Sequence, residues 1–94
     1  MKDYYFDVEV CTSRPVSSDD VINILEALYE FCPASSHDEG EYGVVLTMSV
    51  RTDRGQDHAL KVAKSEVARA FWEELGDDEA SVDPELVEVE DVND

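Results

Sequence analysis

The run Tyr4-Tyr5-Phe6-Asp7-Val8-Glu9-Val10 alternates large apolar side chains with polar ones. A period of two residues is typical of a β-strand that has one buried and one solvent-facing side. Phe6 and Val8 then belong to a core, and Asp7 and Glu9 belong to the opposite face of a sheet. This stretch therefore predicts a first strand in a sheet that is covered on one face.

The residues after this strand predict a helix. Pro15 breaks the strand, and Ser17 followed by Asp20 has the form of a helix cap with acidic residues in the first turn. Apolar side chains then recur at helical spacing until Pro33 stops the helix. The expected apolar stripe consists of Val21, Ile24, Leu25, Leu28 and Phe31, widened by Ile22 and Tyr29.

The second half of the chain predicts a strand, a helix and a strand. Residues 44–50 alternate like the first strand and are the most apolar run, so we expect them at the centre of the sheet. Asp53 and Gln56 have the form of a capping pair for a helix of about 20 residues, which Gly76 ends as a left-handed cap. Its expected buried residues are Leu60, Ala63, Val67, Ala70, Phe71 and Leu75.

The C-terminal residues are expected to form a solvated acidic linker, 77–83, and a last strand within 84–92, with Val87 and Val89 facing the helices. Residues 34–43 are polar with two glycines, which favours a short edge strand and a turn.

The order strand, helix, weak strand, strand, helix, strand predicts an α+β fold. It is the ferredoxin-like split βαβ sandwich, an antiparallel sheet with two helices on one face. Residues 1–94 are short enough for a single domain with one core. A three-stranded βαβαβ arrangement is the alternative if residues 34–37 are irregular. In the split arrangement the first and third strands are central and the last strand lies beside the first.

The net charge restricts the partners of the protein. The chain has 24 acidic and 7 basic residues, a net charge of −17, and 43% hydrophobic residues, enough for a folded core. Direct binding of nucleic acid or of an anionic membrane needs a basic surface, so neither is expected. The start of the chain has no basic region or apolar signal core, and no run is long enough to span a membrane, which predicts a cytoplasmic protein.

The negative charge is unevenly distributed. Residues 51–76 contain five acidic and five basic residues, whereas residues 77–94 contain nine acidic residues and no basic ones. With the last strand beside the first, Asp7 and Glu9 would lie next to Glu88 and Glu90 on the open face of the sheet. RNA-binding members of this fold class carry aromatic and basic residues there. Here Tyr5 is the one obvious aromatic, and the charge has the opposite sign.

Little in the sequence indicates a catalytic or metal-binding site. His37-Asp38-Glu39 and Asp57-His58 lack a further ligand at metal-site spacing. The acidic residues 77–85 do not match a calcium-binding loop. The expected layout puts Cys11 and Cys32 about 20 Å apart at opposite ends of the first helix, too far for a disulfide. Cys11 also lacks a basic neighbour that would activate the thiol. No catalytic residue, metal or cofactor is predicted.

The chain resembles small acidic proteins of actinobacteria and their phages in two successive runs, Tyr5-Phe6-Asp7-Val8-Glu9-Val10 and Arg14-Pro15-Val16-Ser17-Ser18-Asp19-Asp20-Val21. The resemblance continues through residues 44–50, the Ala-rich second helix and residues 86–89. That group has no assigned activity, so the resemblance implies a fold and a phage or host origin but no catalytic residue. The excess of acidic residues after Gly76 departs from the group.

The leading functional hypothesis is a non-enzymatic interaction module that binds a basic or nucleic-acid-binding protein, in one form as a DNA mimic. The expected partner-binding residues are Asp7, Glu9, Glu88, Glu90, Tyr5 and Trp72. The alternative is a small-ligand-binding or regulatory domain that dimerises through its sheet edges. An enzyme subunit, and a charge that only provides solubility or salt tolerance, also remain open.

Overall fold

The computed structural model describes residues 1–36 and 41–92. The strands are β1 Lys2–Cys11, β2 Ala34–Ser36, β3 Gly43–Thr52 and β4 Ser81–Asp91, and the α-helices are α1 Ser18–Ala27 and α2 Gln56–Leu75. A 3₁₀ turn, Tyr29–Phe31, follows α1.

The four strands form an antiparallel sheet in the order β2-β3-β1-β4, and both helices cover one face of it. β1 pairs with β3 from Lys2↔Thr52 to Cys11↔Gly43 and with β4 along its other side. This is the α+β ferredoxin-like arrangement, as the sequence predicts. The three-stranded alternative is wrong, because β2 pairs with β3 at the sheet edge.

One hydrophobic core lies between the sheet and the helices. It takes alternate residues of β1 and β3, among which Phe6, Val8 and Leu46 have at most 1% of their surface exposed. The helices contribute Val21, Ile24, Leu28, Ala59, Ala63, Val67, Ala70, Phe71 and Leu75. Because the side chains of a strand alternate, this core places the polar residues of β1 on the uncovered face of the sheet.

The helix ends agree with the sequence at two of four positions. The predicted end of α1 at Pro33 is wrong, because α1 ends at Ala27 and a 3₁₀ turn, Tyr29–Phe31, follows it. Ser17 caps α1, with its Oγ accepting from the amide of Asp20 and its own amide donating to Asp20 Oδ2, both at 3.1 Å. Gly76 ends α2 at φ +67° in the left-handed region. The predicted cap at Asp53 is wrong: the N-cap of α2 is Gly55, at φ +96°, with no side-chain cap.

The apolar stripes of both helices are narrower than predicted. Ile22 is 52% exposed and Tyr29 is 78% exposed. Leu60 of α2 is also partly exposed, at 37%. The core side of α1 is filled by Val21, Ile24 and Leu28, so the two wider positions face outward.

β4 begins at Ser81, inside the segment predicted to be a linker. Pro84 lies within the strand opposite Val8, and Val82 pairs with Val10. The linker is therefore limited to residues 76–80.

A β-bulge interrupts β4 at Val87. Tyr5 pairs with Glu88, but the next residue of β1, Phe6, pairs with Leu86, so that Val87 is the additional residue. The alternation of side chains shifts by one residue at this point. Leu86 faces the core beside Phe6, whereas Val87, predicted to face the helices, is 60% exposed.

Asp77 connects the end of α2 to the loop after β1. Its carboxylate accepts from the amide and hydroxyl of Ser13, at 2.9 and 2.8 Å, and from the amide of Glu79 at 3.1 Å. Arg14 donates to the carbonyl of Leu75 beside it. Asp77 is 5% exposed, so its prediction as a solvated residue is wrong.

Burial of Asp77 opposes its ionisation, but the hydrogen bonds from Ser13 and Glu79 and the charge of Arg14 outweigh it and lower the pKa of the carboxyl. A lowered pKa stabilises the fold above the pKa of the unfolded chain, about 3.9, and the contribution is lost as pH falls through the lower folded value.

We expect Asp77→Asn to lower the free energy of unfolding at pH 7 by about 1–3 kcal/mol, because Ser13 loses a charged acceptor. The deficit should shrink as pH falls below about 4. Denaturant unfolding over a pH series measures both effects. Asp78→Asn, at the exposed neighbour, is the control; an equal deficit for both variants would contradict the role of Asp77.

Candidate functional site

The uncovered face of the sheet carries a continuous group of carboxylates on β1 and β4. Three lie on β1 and four on β4, in register across the two strands. We call this group the acidic face; it consists of Asp3, Asp7, Glu9, Asp83, Glu85, Glu88 and Glu90. β3 contributes Val45, Thr47 and Ser49 beside it, so the charge is concentrated on the β1–β4 half of the sheet.

Within the acidic face, carboxylates stand directly opposite carboxylates. Asp7 pairs with Glu85 and Glu9 pairs with Asp83 in the β1–β4 register. Opposed like charges destabilise a sheet, by roughly 0.2–1 kcal/mol for each pair, whereas opposite charges at the same positions would stabilise it. The arrangement on this face is therefore unfavourable for folding.

One basic residue, Arg51 of β3, lies on the described part of this face. Its guanidinium donates to both oxygens of Asp3, at 2.8 and 3.1 Å. These hydrogen bonds lower the pKa of Asp3. The face thus contains one bidentate pair between arginine and a carboxylate, and this pair lies at its margin, where β1 begins.

Tyr5 is an aromatic residue on this side of the sheet, between Asp3 and Asp7 on β1. It stands opposite Glu88, and its hydroxyl donates to Glu90 Oε2 at 3.3 Å. The charge of Glu90, with partial desolvation and the charges of Asp3 and Glu88, raises the pKa of the Tyr5 hydroxyl. Tyr5 therefore stays protonated and serves as a neutral hydrogen-bond donor among carboxylates.

The structure changes the predicted neighbours of Asp7 and Glu9. The sequence places Glu88 and Glu90 beside them, but the bulge moves those glutamates opposite Tyr5 and Asp3. Glu88 and Glu90 do lie on the open face, as predicted. The residues facing Asp7 and Glu9 are Glu85 and Asp83.

Sequence reasoning missed Asp3, Asp83 and Glu85 as members of the acidic face. A signal for the last two exists in the alternation of Val82, Pro84 and Leu86, which is out of phase with that of Val87 and Val89. A bulge at Val87 places Leu86 and Val89 on the same side of the sheet, and the inward position of Leu86 then turns Asp83 and Glu85 outward.

Trp72 does not join the acidic face. It lies on α2, on the other side of the sheet, and is 58% exposed. A single flat contact would not reach both Trp72 and Glu88.

The remaining sequence candidates lie apart from one another. Cys11 and Cys32 are free, exposed thiols. His37-Asp38-Glu39 falls outside the described residues, and His58 lies in the first turn of α2. Residues 1–36 and 41–92 contain no group of three His, Cys, Asp or Glu side chains arranged to hold a metal ion.

A cavity of about 240 Å³ opens on the sheet beside Tyr5. Asp7 and Glu88 provide its charge, and Val87 provides an apolar edge. Because Val87 is the bulge residue, the irregularity of β4 shapes this cavity as well as the acidic face.

We expect the double variant Asp83→Asn/Glu85→Gln to be more stable than the wild type by roughly 0.5–1.5 kcal/mol at low salt, because it removes two opposed pairs of carboxylates. Added salt should stabilise the wild type more than this variant. Thermal unfolding at low and high salt measures both effects. Asp53→Asn/Glu74→Gln, off the face, is the control; a stability gain of the same size there would indicate a general charge effect.

Comparison with protein-family models, with curated proteins and with solved structures finds no match to this chain. Among the described residues, no helix has both the length and the apolar character needed to cross a membrane.

Proposed function

We propose that this protein is a non-enzymatic interaction module whose acidic face binds a basic surface of a partner protein in the cytoplasm, in keeping with a phage or actinobacterial origin. The observation that carries the proposal is the direct opposition of Asp7 to Glu85 and of Glu9 to Asp83. Charge that serves only solubility can lie anywhere on a surface, including positions where it costs no stability. A surface that carries like charges face to face is suited to a partner that neutralises them.

The buried carboxylate of Asp77 has a structural role, and this supports a binding function for the protein. Asp77 is the buried carboxylate of the described residues, and it accepts hydrogen bonds from Ser13 and Glu79. This carboxylate therefore holds two loops together. The carboxylates of the acidic face, by contrast, lie on the uncovered side of the sheet.

Charge density separates the general form of the proposal from its DNA-mimic form. β1 has ten residues and spans about 34 Å, a length over which duplex DNA carries about 20 negative charges. The acidic face has seven carboxylates over that length. It therefore presents about a third of the charge of DNA, which favours a basic protein surface in general over a groove built for duplex DNA.

Self-association through β4 is the competing proposal. β4 is an edge strand of 11 residues, and pairing with a second copy would bring its acidic side chains against one another. Like charges, together with Pro84 and the bulge, protect the edge against such pairing. These features favour a different, basic partner.

Affinity capture tests the proposal. The tagged chain, incubated with lysate of its native host, should retain a basic protein at about 50 mM salt and release it at about 500 mM, because exposed charge contacts are screened. Duplex DNA added to the bound complex distinguishes the two forms: it displaces the partner if the acidic face occupies a DNA-binding groove. Retention that is unchanged at high salt would contradict the proposal.

A further inference from the structure

The outer surface of α1 carries an apolar stripe that no part of the described chain covers. Ile22 and Leu25 lie about one turn apart on α1, and Tyr29 lies in the 3₁₀ turn that follows it. All three line the same groove. Ile22 is 52% exposed and Tyr29 is 78% exposed, while Leu25 packs partly against the core. The apolar surface of the core thus continues outward through Leu25 to the two exposed side chains.

A shallow, open groove of about 440 Å³ lies along this stripe. Its lining adds Glu26, Cys32 and Pro33 to the three apolar residues. Exposed apolar surface with a polar rim commonly marks a site of protein interaction. The spacing of the exposed residues fits the contact of one helix with the apolar side of another.

The rim of this groove is acidic. Glu26 lines it, and Asp19, two turns earlier on α1, lies on the same side of the helix. In a symmetric dimer the same patch meets itself, so these carboxylates would face their own copies across the contact. The net charge of −17 on each chain adds to that repulsion. Charge therefore disfavours a second copy as the occupant and favours a basic partner.

We infer that the groove of α1 docks the apolar side of a basic amphipathic helix from the partner protein. Apolar side chains of the partner contact Ile22, Leu25 and Tyr29, and flanking lysine or arginine side chains pair with the rim carboxylates. The inference rests on the proposed function for the charge of the partner, but it concerns a separate surface on the helical side of the sheet. Cys32 connects the two regions, because it lines this groove and also the cavity beside Tyr5.

The test uses two synthetic peptides of 18 residues with the same leucine and lysine composition. In the amphipathic peptide the leucines follow an i, i+3, i+4, i+7 pattern, and in the control peptide they are spread around the helix. Fluorescence anisotropy with labelled peptides should show binding of the amphipathic peptide that is about tenfold tighter or more. Ile22→Ser/Tyr29→Ser should remove this difference, and Leu60→Ser/Val89→Ser, at two other exposed apolar positions, should preserve it.

A fluorophore on Cys32 in a Cys11→Ser background gives a second measurement, because Cys32 is part of the groove lining and reports directly on its environment. The amphipathic peptide should shift its emission more than the control peptide does at equal saturation. Equal binding of both peptides, or a difference that survives Ile22→Ser/Tyr29→Ser, would overturn the inference. A wild-type dimer in sedimentation that Ile22→Ser/Tyr29→Ser converts to a monomer would also overturn it, since the occupant would then be a second copy.

Failure of the inference is distinguishable from failure of the proposed function. If both peptides bind equally and Glu88→Lys/Glu90→Lys abolishes this binding, the result supports the acidic face as a binding site and excludes the groove. If the preference for the amphipathic peptide persists after this charge reversal but is lost in Ile22→Ser/Tyr29→Ser, the groove binds the peptide independently of the acidic face.

Discussion

Reversal of two charges on the acidic face, Glu88→Lys/Glu90→Lys, is expected to weaken binding of a nona-arginine peptide, and of the captured partner, by about 100-fold at low salt. The reason is a change of four charge units where the partner docks, and replacing attraction with repulsion at a contact surface costs several kcal/mol. A 100-fold change corresponds to about 2.7 kcal/mol. Titration followed by anisotropy measures the affinity directly.

The matched control for this reversal is Asp53→Lys/Glu74→Lys, which changes the net charge by the same amount away from the acidic face. We expect it to weaken binding by less than about fivefold, through the long-range field alone. Comparable losses in both variants would show that binding depends on total charge and would remove the acidic face as a specific site. Thermal unfolding of each variant confirms that the fold is retained.

Deletion of Pro84 is expected to destabilise the protein by more than about 3 kcal/mol, whereas deletion of Val87 is expected to change stability by less than about 1 kcal/mol. Without Val87 the strand reads Glu85-Leu86-Glu88-Val89-Glu90, a regular alternation that keeps Leu86 opposite Phe6 and Glu88 opposite Tyr5. Deletion of the bulge residue therefore removes the bulge without turning any side chain to the wrong face.

Deletion of Pro84 leaves no register that keeps every carboxylate of β4 on the open face of the sheet. If the bulge is kept, Asp83 moves to the core side opposite Val8; if the bulge is lost, Glu85 does. Either register turns a carboxylate toward the core side, at a position where Pro84 is half-buried, and this partial loss of hydration without a partner accounts for the large loss of stability. Denaturant unfolding of both deletions measures the difference. Equal destabilisation of the two variants would contradict the assignment of Val87 as the additional residue.

The elements of the fold that depend on local patterns could be predicted from the sequence. The alternation through Phe6 and Val8, the cap at Ser17 and the left-handed Gly76 each follow from a few neighbouring residues, and the structure confirms them. Their order along the chain is sufficient for the ferredoxin-like sheet. The central position of β3 also follows from its apolar sequence.

The errors at Asp77 and in β4 concern residues whose environment is set by distant parts of the chain. Asp77 looks like a linker residue until Ser13, 64 positions earlier, supplies its hydrogen bonds. The side chains of β4 that face the core depend on which residue packs beside Phe6, and Leu86 and Val87 are both apolar enough to do so. The bulge resolves this choice, and it makes the acidic face larger than the sequence predicted.

The central claim is that a basic ligand binds the acidic face, and mapping the residues that the ligand contacts tests it most directly. The ¹⁵N-labelled chain, titrated with nona-arginine at low salt, should show amide shift changes concentrated on β1 and β4, near Asp7, Glu85 and Glu88, with the residues of α2 nearly unchanged. Addition of salt should reverse the changes. Shifts that are strongest on α2, or spread evenly over the acidic residues of the whole chain, would contradict the account.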